Sequence, residues 1–151
     1  MEIKLTLPEP NLKIKSVNSN IQVFDPVRRK FVVLTPEERV RQYLISFLNK
    51  NRDYPLGLMK LEQKIYYNEM LCRADILIYN NKVEPVMLIE CKAPYVKLTQ
   101  DIFDQIAKYN YSLKAPYLLV SNGVKHFCCH IDYKTDRISF LEDIPSFSET
   151  H

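Results

Sequence analysis

Two apolar stretches of the chain carry charged side chains where buried strands rarely have them. The stretches are residues 73–79 and 85–94, and the charged side chains are those of Asp75, Glu90 and Lys92. The polar segment between the stretches has turn chemistry, so together they predict a β-hairpin. Side chains alternate faces along a strand, which places Glu90 and Lys92 on one face. A turn in the middle of the polar segment puts Asp75 roughly opposite Glu90, with Cβ atoms about 4.5–5.5 Å apart.

Two carboxylates this close, beside one ammonium, predict a cation site. Like charges disfavour joint ionisation unless positive charge lies between them. Mg²⁺ prefers oxygen ligands and usually takes one or two carboxylates from the protein. The alternative is a cross-strand ion pair on a solvated face, which contributes little. The unbroken apolar runs 76–78 and 86–89 argue against it, because they predict strands covered on both faces. Charges on such strands need partners or a function.

The order of Asp75, fourteen residues and then Glu90-x-Lys92 resembles the PD-(D/E)xK nuclease signature. The usual Pro before the first Asp is Ala74 here, at a position that varies in that superfamily. The resemblance implies an α/β fold with a mixed sheet, built on a restriction-endonuclease-like α-β-β-β-α-β core. It also implies metal-dependent hydrolysis of phosphodiesters, with Mg²⁺ or Mn²⁺ held by Asp75, Glu90 and the backbone carbonyl of Cys91. Lys92 would position or activate the attacking water.

A closer resemblance adds a second pair of candidate residues. Residues 73–75 and 89–94, with the later Gln105-x-x-x-Tyr109, look like the N-terminal nuclease domain of type I restriction enzyme R subunits, over about residues 35–125. Gln105 and Tyr109 are four residues apart and share a helix face. The resemblance places them near the scissile phosphate, where they would orient the substrate. Without it, Tyr109 is read as a core aromatic and Gln105 as a solvated amide.

A helix is predicted to begin at residue 36, with a further candidate ligand in its first turn. Thr35 suits the N-cap, Pro36 suits the first helical position, and Glu38 completes a capping box. Helical spacing predicts the core face: Val40, Tyr43, Leu44, Phe47 and Leu48. Glu37 lies along that inward stripe, and the resemblance implies that such a glutamate joins the metal site. The alternative is that both acids are simply favoured by the helix dipole.

The remaining pattern divides the chain into an N-terminal extension (1–34) with a β-hairpin, a nuclease-like core (35–141) and a loose tail (142–151). The hairpin strands are residues 21–24 and 30–34. The core strands are residues 61–68, 72–79, 85–92, 117–121, 124–132 and 137–141, with a second helix from Thr99 to about Leu113. The strand after that helix is predicted to be parallel to an earlier one.

Basic residues offer weaker candidates for contact with a phosphate backbone. Arg28, Arg29 and Lys30 lie at the tip of the predicted hairpin, and Arg73 begins the motif strand. A solvated loop is the alternative for the first three. The net charge of +3 permits nucleic-acid binding without demanding it.

Composition indicates the cellular compartment and argues against ATP binding. The four cysteines form no C-x-x-C pair, which favours a reducing, cytoplasmic setting. No apolar run approaches the roughly eighteen residues of a membrane span, so no membrane partner is expected. With two glycines in all, a phosphate-binding G-x-x-x-x-G-K-[ST] loop is excluded. ATP-driven translocation is therefore not expected from this sequence.

The expected function is that of a metal-dependent endonuclease acting on DNA in restriction or defence. A catalytically silent DNA-binding or assembly module that works with partner chains is the alternative. RNA and structured DNA stay open as substrates, because substrate choice lies in surface shape. Double-strand cleavage favours a homodimer, and the family resemblance implies partner subunits of a restriction-modification system.

Overall fold

A computed structural model describes residues 2–151, which form two β-sheets and two α-helices. The elements in chain order are β1 (Ile14–Val17), β2 (Asn20–Asp25), β3 (Lys30–Val33), α1 (Pro36–Arg52), β4 (Met59–Tyr67), β5 (Met70–Tyr79), β6 (Pro85–Cys91), α2 (Gln100–Leu113), β7 (Tyr117–Ser121), β8 (His126–Asp132) and β9 (Arg137–Leu141). Two short 3₁₀ turns, Leu56–Leu58 and Phe147–Thr150, complete the regular structure of this part of the chain. No helix within it is both long and apolar enough to span a membrane.

The larger sheet has the order β4-β5-β6-β7-β8-β9. Its neighbours are antiparallel except β6 and β7, which are parallel as predicted for strands joined through α2. Successive residues of β5 belong to different core clusters: Ile76 packs with α1 residues, and Leu77 packs with α2 residues. The two helices therefore cover opposite faces of the sheet. This confirms the predicted mixed-sheet fold and explains the apolar run in β5.

The extension forms a three-stranded antiparallel sheet rather than a hairpin alone. Strands β2 and β3 are the predicted pair, with Phe24 opposite Phe31. Strand β1 was not predicted, because its four residues are all exposed and have no apolar face to mark them. A turn at Asn18 and Ser19, both with positive φ, folds β1 back onto β2.

The start of α1 follows the predicted cap in part. The Thr35 hydroxyl accepts a hydrogen bond from the Glu38 N–H at 3.0 Å, as an N-cap should. The second half of the capping box is absent, because the Glu38 carboxylate binds Arg28 and Gln42 instead of the Thr35 N–H. Arg28 of the extension thus takes the place of the Thr35 N–H as a hydrogen-bond donor to Glu38. The cap of α2 is confirmed, since the Thr99 hydroxyl accepts from the Ile102 N–H.

The segment 142–151 packs against the core, so the prediction of a loose tail is wrong. Ile144 is buried within the α1 core cluster. The Tyr54 hydroxyl donates to the Pro145 carbonyl at 2.8 Å, and the rings of Tyr54 and Phe147 lie 5.6 Å apart. Two apolar side chains and a carbonyl acceptor are enough to hold a segment whose composition looks like that of a free end.

Ile144→Ala is expected to lower the free energy of unfolding by about 2 kcal/mol, because it removes buried apolar volume from a packed site. Urea denaturation measures this change. The matched control is Ile21→Ala, at an exposed position of β2, which should cost about 0.5 kcal/mol. Equal, small effects of the two substitutions would mean that the segment is loose after all.

Candidate active site

Asp75 and Glu90 lie side by side on the two central strands. The register pairs Ile76 with Ile89 and Leu77 with Leu88, and one step further it sets Asp75 opposite Glu90. Asp75 is buried, and the Glu90 side chain is 21% exposed. Their carboxyl groups are close enough to share a hydrogen bond when one is protonated. The hairpin turn over residues 80–84 was predicted, whereas the one-residue register shift between Ile78 and Tyr79, which together with the turn sets this register, was not.

Burial and mutual repulsion make this pair a poor place for two negative charges. Burial, followed by the Asp75 carboxylate, raises the pKa of Glu90 to about 8. Burial likewise raises the pKa of Asp75, against the lowering effects of the Cys91 N–H and of Arg41. Without a cation the pair therefore tends to hold a proton near neutral pH. A divalent cation at this point would remove the repulsion.

Lys92 supplies an ammonium group on the same side of β6. Its Nζ lies 3.4 Å from Glu90 Oε1, and its side chain is 32% exposed. The Lys92 N–H donates to the Ser121 carbonyl at 2.8 Å, which ties the end of β6 to β7. The lysine is thus fixed at its backbone while its charged end faces both the carboxylates and solvent.

The backbone of Cys91, between the two motif residues, contacts Asp75. Its N–H donates to Asp75 Oδ2 at 2.6 Å, so one carboxylate oxygen is oriented by the neighbouring strand. The thiol is fully buried on the opposite side of the strand, and burial raises its pKa well above the ordinary value. The Cys91 thiol therefore packs in the core, while the Cys91 backbone contacts the candidate site.

Arg41 of α1 also lies beside the carboxylates, and it was not predicted from the sequence. Its Nη2 lies 2.6 Å from Glu62 Oε1 and 3.6 Å from Asp75 Oδ1. The side chain is almost completely buried, and Nε and Nη1 have no hydrogen-bond partner among residues 2–151. The sequence signal was weak: Arg41 lies next to Val40 and three residues before Leu44, close to the predicted core face of the helix.

Glu62 is a third carboxylate near the pair, also missed. Leu61 pairs with Ile76 and Gln63 with Ala74, so Glu62 falls at the position facing Asp75. Its backbone has φ 54°, a left-handed conformation that is uncommon for residues other than Gly, Asn or Asp. This local distortion interrupts the β4–β5 ladder beside the site. Such outliers concentrate at functional positions, but nothing in the local sequence marks this one.

Glu37 faces the site without being buried. It is exposed at the first turn of α1, so the prediction that it lies on the inward stripe is wrong; Glu38 is the buried acid of that turn. Desolvation and the Asp75 carboxylate raise the pKa of Glu37, while Arg41 and Lys92 lower it. Its carboxylate is thus within electrostatic range of the central pair.

The structure does not connect the other candidates with the central pair. Gln105 Nε2 donates to the Tyr109 hydroxyl at 2.9 Å, which confirms a shared helix face. The hydrogen bonds and ion pairs described for residues 2–151 link neither residue to Asp75, Glu90 or Lys92. Arg73 is exposed on β5.

The three basic residues of the extension have different environments. Arg28 forms ion pairs with Asp25 and with Glu38, the latter at 2.7 Å. Its guanidinium is thereby engaged within the protein. Arg29 and Lys30 are exposed.

The donor set at the central pair fits a hard divalent ion. Among the described residues, no group of three or more His, Cys, Asp or Glu side chains is arranged to hold a metal. Mg²⁺ commonly takes one or two carboxylates and completes its octahedron with water and substrate phosphate. Two adjacent carboxylates with raised pKa values suit this coordination. Asp75, Glu90 and the Cys91 carbonyl are the residues that would hold the ion.

This fold, with its paired carboxylates and lysine on adjacent strands, defines a nuclease-like α/β domain. A solved fragment of a putative HsdR subunit of a type I restriction enzyme from Vibrio vulnificus YJ016 has a similar fold, with a TM-score of 0.56 and 19% sequence identity. The match covers 78% of this chain and 24% of that chain. No curated protein matches the sequence.

The family follows from the sequence itself. Residues 36–145 match the family model described as type I restriction enzyme R protein N terminus (HSDR_N). The chain belongs to this family, which confirms the resemblance seen in residues 73–75 and 89–94.

Proposed function

We propose that this domain is a Mg²⁺- or Mn²⁺-dependent deoxyribonuclease that hydrolyses phosphodiester bonds at Asp75, Glu90 and Lys92. The observation that carries the proposal is the adjacent pair of carboxylates, in which burial and then mutual repulsion raise the pKa of Glu90 to about 8, with the Lys92 ammonium 3.4 Å from Glu90. A cation between the carboxylates would relieve their repulsion. The family relationship supports the same chemistry.

Each residue has a distinct part in the proposed reaction. When bound, the metal ion lowers the pKa of a water ligand and neutralises charge on the phosphate. Asp75 is oriented by the Cys91 N–H and by Arg41, so its oxygens are directed before any ligand arrives. Lys92 orients the attacking water and donates a hydrogen bond to the charge that develops on the phosphate oxygens. Glu37 adds a carboxylate at the edge of the site, and Gln105 and Tyr109 orient the substrate.

DNA is the proposed substrate, in a cytoplasmic restriction-type system. Cleavage of both strands requires two such sites, which a homodimer provides. Partner subunits of a restriction-modification system would supply the target recognition. The alternative, a silent module that only binds DNA, is tested by the same experiment.

Asp75→Asn is expected to abolish metal-dependent cleavage of supercoiled plasmid, because it removes a negatively charged ligand while keeping the side-chain shape. Agarose gels of plasmid incubated with Mg²⁺, Mn²⁺ or EDTA measure the effect. The matched control is Asp143→Asn, at an exposed position outside the site, which should cleave like the wild type.

The outcomes separate the two functions. Metal-dependent cleavage that survives Asp75→Asn would move the chemistry elsewhere in the chain. A folded wild-type protein that binds Mg²⁺ by calorimetry but cuts neither plasmid nor single-stranded DNA would favour the silent module.

A further inference from the structure

The positive charge of this chain is concentrated in its first 34 residues. That segment has six Lys and Arg against three Asp and Glu, whereas residues 35–151 have fifteen of each kind. The extension therefore accounts for the whole net charge of +3. A segment with such a bias offers an electrostatic footprint for a polyanion.

Two of these six cations, Lys13 and Lys15, lie on one face of the extension sheet. Residues directly opposite each other on antiparallel strands share a face. Phe24 is opposite Phe31, and the Phe24 N–H donates to the Lys13 carbonyl, while Lys15 is opposite Gln22 on the same face. We call this surface the lysine–phenylalanine face and define it by Lys13, Lys15, Phe24 and Phe31.

The face combines cations with aromatic rings. Lys15 Nζ lies 4.0 Å from the centroid of the Phe31 ring, and Lys13 Nζ lies 5.6 Å from that of Phe24. Both lysines are exposed, and neither forms an ion pair with a carboxylate among residues 2–151. The two phenylalanine rings are half-buried neighbours, 5.4 Å apart. Their contact with lysine is worth only about 0.5–1 kcal/mol at exposed sites, so a ligand can displace it.

A groove continues the face towards α1. A cavity of about 310 Å³ lies between the two, lined by Asn11, Lys13 and Phe24 on one side and by Asn49 and Lys50 of α1 on the other. The rest of the lining is largely apolar, including Leu12 and Ile45. The Asn49 amide donates to the Tyr54 carbonyl at 2.9 Å, so the two lysines are the groups that remain for phosphates. Lys50 is exposed at the end of the helix, so it extends the positive surface beyond the sheet.

The extension is held against the part of α1 that borders the candidate active site. Arg28 bridges the buried Asp25 of the extension and Glu38 of α1. Glu38 follows Glu37 in the sequence, and the pKa of Glu37 is raised by the charge of Asp75 and lowered by that of Lys92. The face is therefore attached to the first turn of the helix that contributes to the site.

We propose that the lysine–phenylalanine face binds single-stranded nucleic acid, with phosphates along the lysines and bases on the phenylalanine rings. The proposal rests on the proposed nuclease function and names the form of substrate that the extension of this domain holds. Sheet faces that bind single strands combine a positively charged track with aromatic rings that stack on bases. A duplex keeps its base faces covered, so the rings would contribute nothing to binding it.

The test measures binding without cleavage, by fluorescence anisotropy of labelled dT20 in EDTA at several salt concentrations. Lys13→Ser/Lys15→Ser is expected to weaken binding at least about tenfold and to reduce the salt slope by about 1.4, the value for two lost phosphate contacts. Phe31→Leu keeps an apolar side chain but removes the ring, and should weaken binding at least about fivefold. Circular dichroism checks that each variant is folded.

Matched controls remove the same groups elsewhere on the surface. Lys82→Ser/Lys134→Ser and Phe127→Leu change exposed residues away from the face and should stay within twofold of the wild type. The proposal is overturned if wild type does not bind dT20, if the lysine pair variant binds like its control, or if Phe31→Leu has no effect. It is also overturned if a 20-base-pair duplex binds as tightly as dT20. EDTA prevents metal-dependent cleavage, so this assay measures binding alone. A failure to bind dT20 would overturn this proposal without affecting the plasmid cleavage test, and a failure to cleave plasmid would not affect the binding test.

Discussion

Lys92→Met is expected to reduce the rate of metal-dependent DNA cleavage by about 10²–10³-fold while leaving the fold and Mg²⁺ binding intact. Removal of one preorganised donor to the developing charge has an effect of this size in other enzymes. The lysine is well placed for that part, because its ammonium is 3.4 Å from Glu90 and about one third exposed. Methionine keeps the unbranched apolar stem, so packing along β6 should change little.

Plasmid nicking under single-turnover conditions gives the rate, and calorimetry gives the Mg²⁺ affinity. The matched control is Lys97→Met, at an exposed position after β6, which should cleave at the wild-type rate. A loss of Mg²⁺ affinity together with cleavage would assign Lys92 to holding the carboxylates. Unchanged cleavage would remove it from the reaction.

Glu90→Gln is expected to make the metal-free protein more stable and to abolish its response to Mg²⁺. The pKa of Glu90 is raised from an ordinary 4.5 to about 8 in the folded state. Folded protein therefore holds this proton more tightly than unfolded protein does, so stability falls as the pH rises from about 4.5 to about 8. An amide carries no charge at any of these pH values. At pH 8 the substitution should add on the order of 2 kcal/mol to the free energy of unfolding.

Urea denaturation from pH 5 to pH 8.5, in EDTA and in Mg²⁺, measures both effects. In EDTA the wild type should lose stability across this range, and Mg²⁺ should restore most of it at the alkaline end. The variant should give a flatter profile that is insensitive to Mg²⁺. The control Glu142→Gln changes an exposed glutamate and should follow the wild type. A wild-type profile that is flat in EDTA would show that neither burial nor the Asp75 carboxylate raises the pKa of Glu90 in the folded protein.

A gain in stability together with a loss of metal binding would indicate that Glu90 is kept for metal binding and not for the stability of the fold. Functional sites often retain groups that destabilise the fold. Here the cost is the burial of two carboxylates on adjacent strands, and Arg41 offsets only part of it, from 3.6 Å. A structural ion pair would give the opposite result, since loss of either partner would destabilise the protein.

Much of this protein follows from local sequence chemistry. The turn at residues 80–84 and the two-residue period of the strands bring Asp75 and Glu90 close together, and a one-residue register shift between Ile78 and Tyr79 sets them opposite each other. Thr35 and Thr99 cap the helices through hydrogen bonds to residues three positions on. The parallel pairing of β6 and β7 follows from the helix between them. These features depend on residues that are near one another in sequence or on a general rule of chain connection.

Only the tertiary structure decided which charges surround the carboxylates. Arg41 of α1 forms ion pairs with both Glu62 of β4 and Asp75, and this arrangement depends on how the helix packs on the sheet. The engagement of Arg28 by Glu38 and the docking of Ile144 likewise join distant segments. Short-range spacing does not encode such contacts, because they arise from the mutual packing of whole elements. The sequence by itself therefore determined the motif and its strands, and packing determined the electrostatic environment in which the motif works.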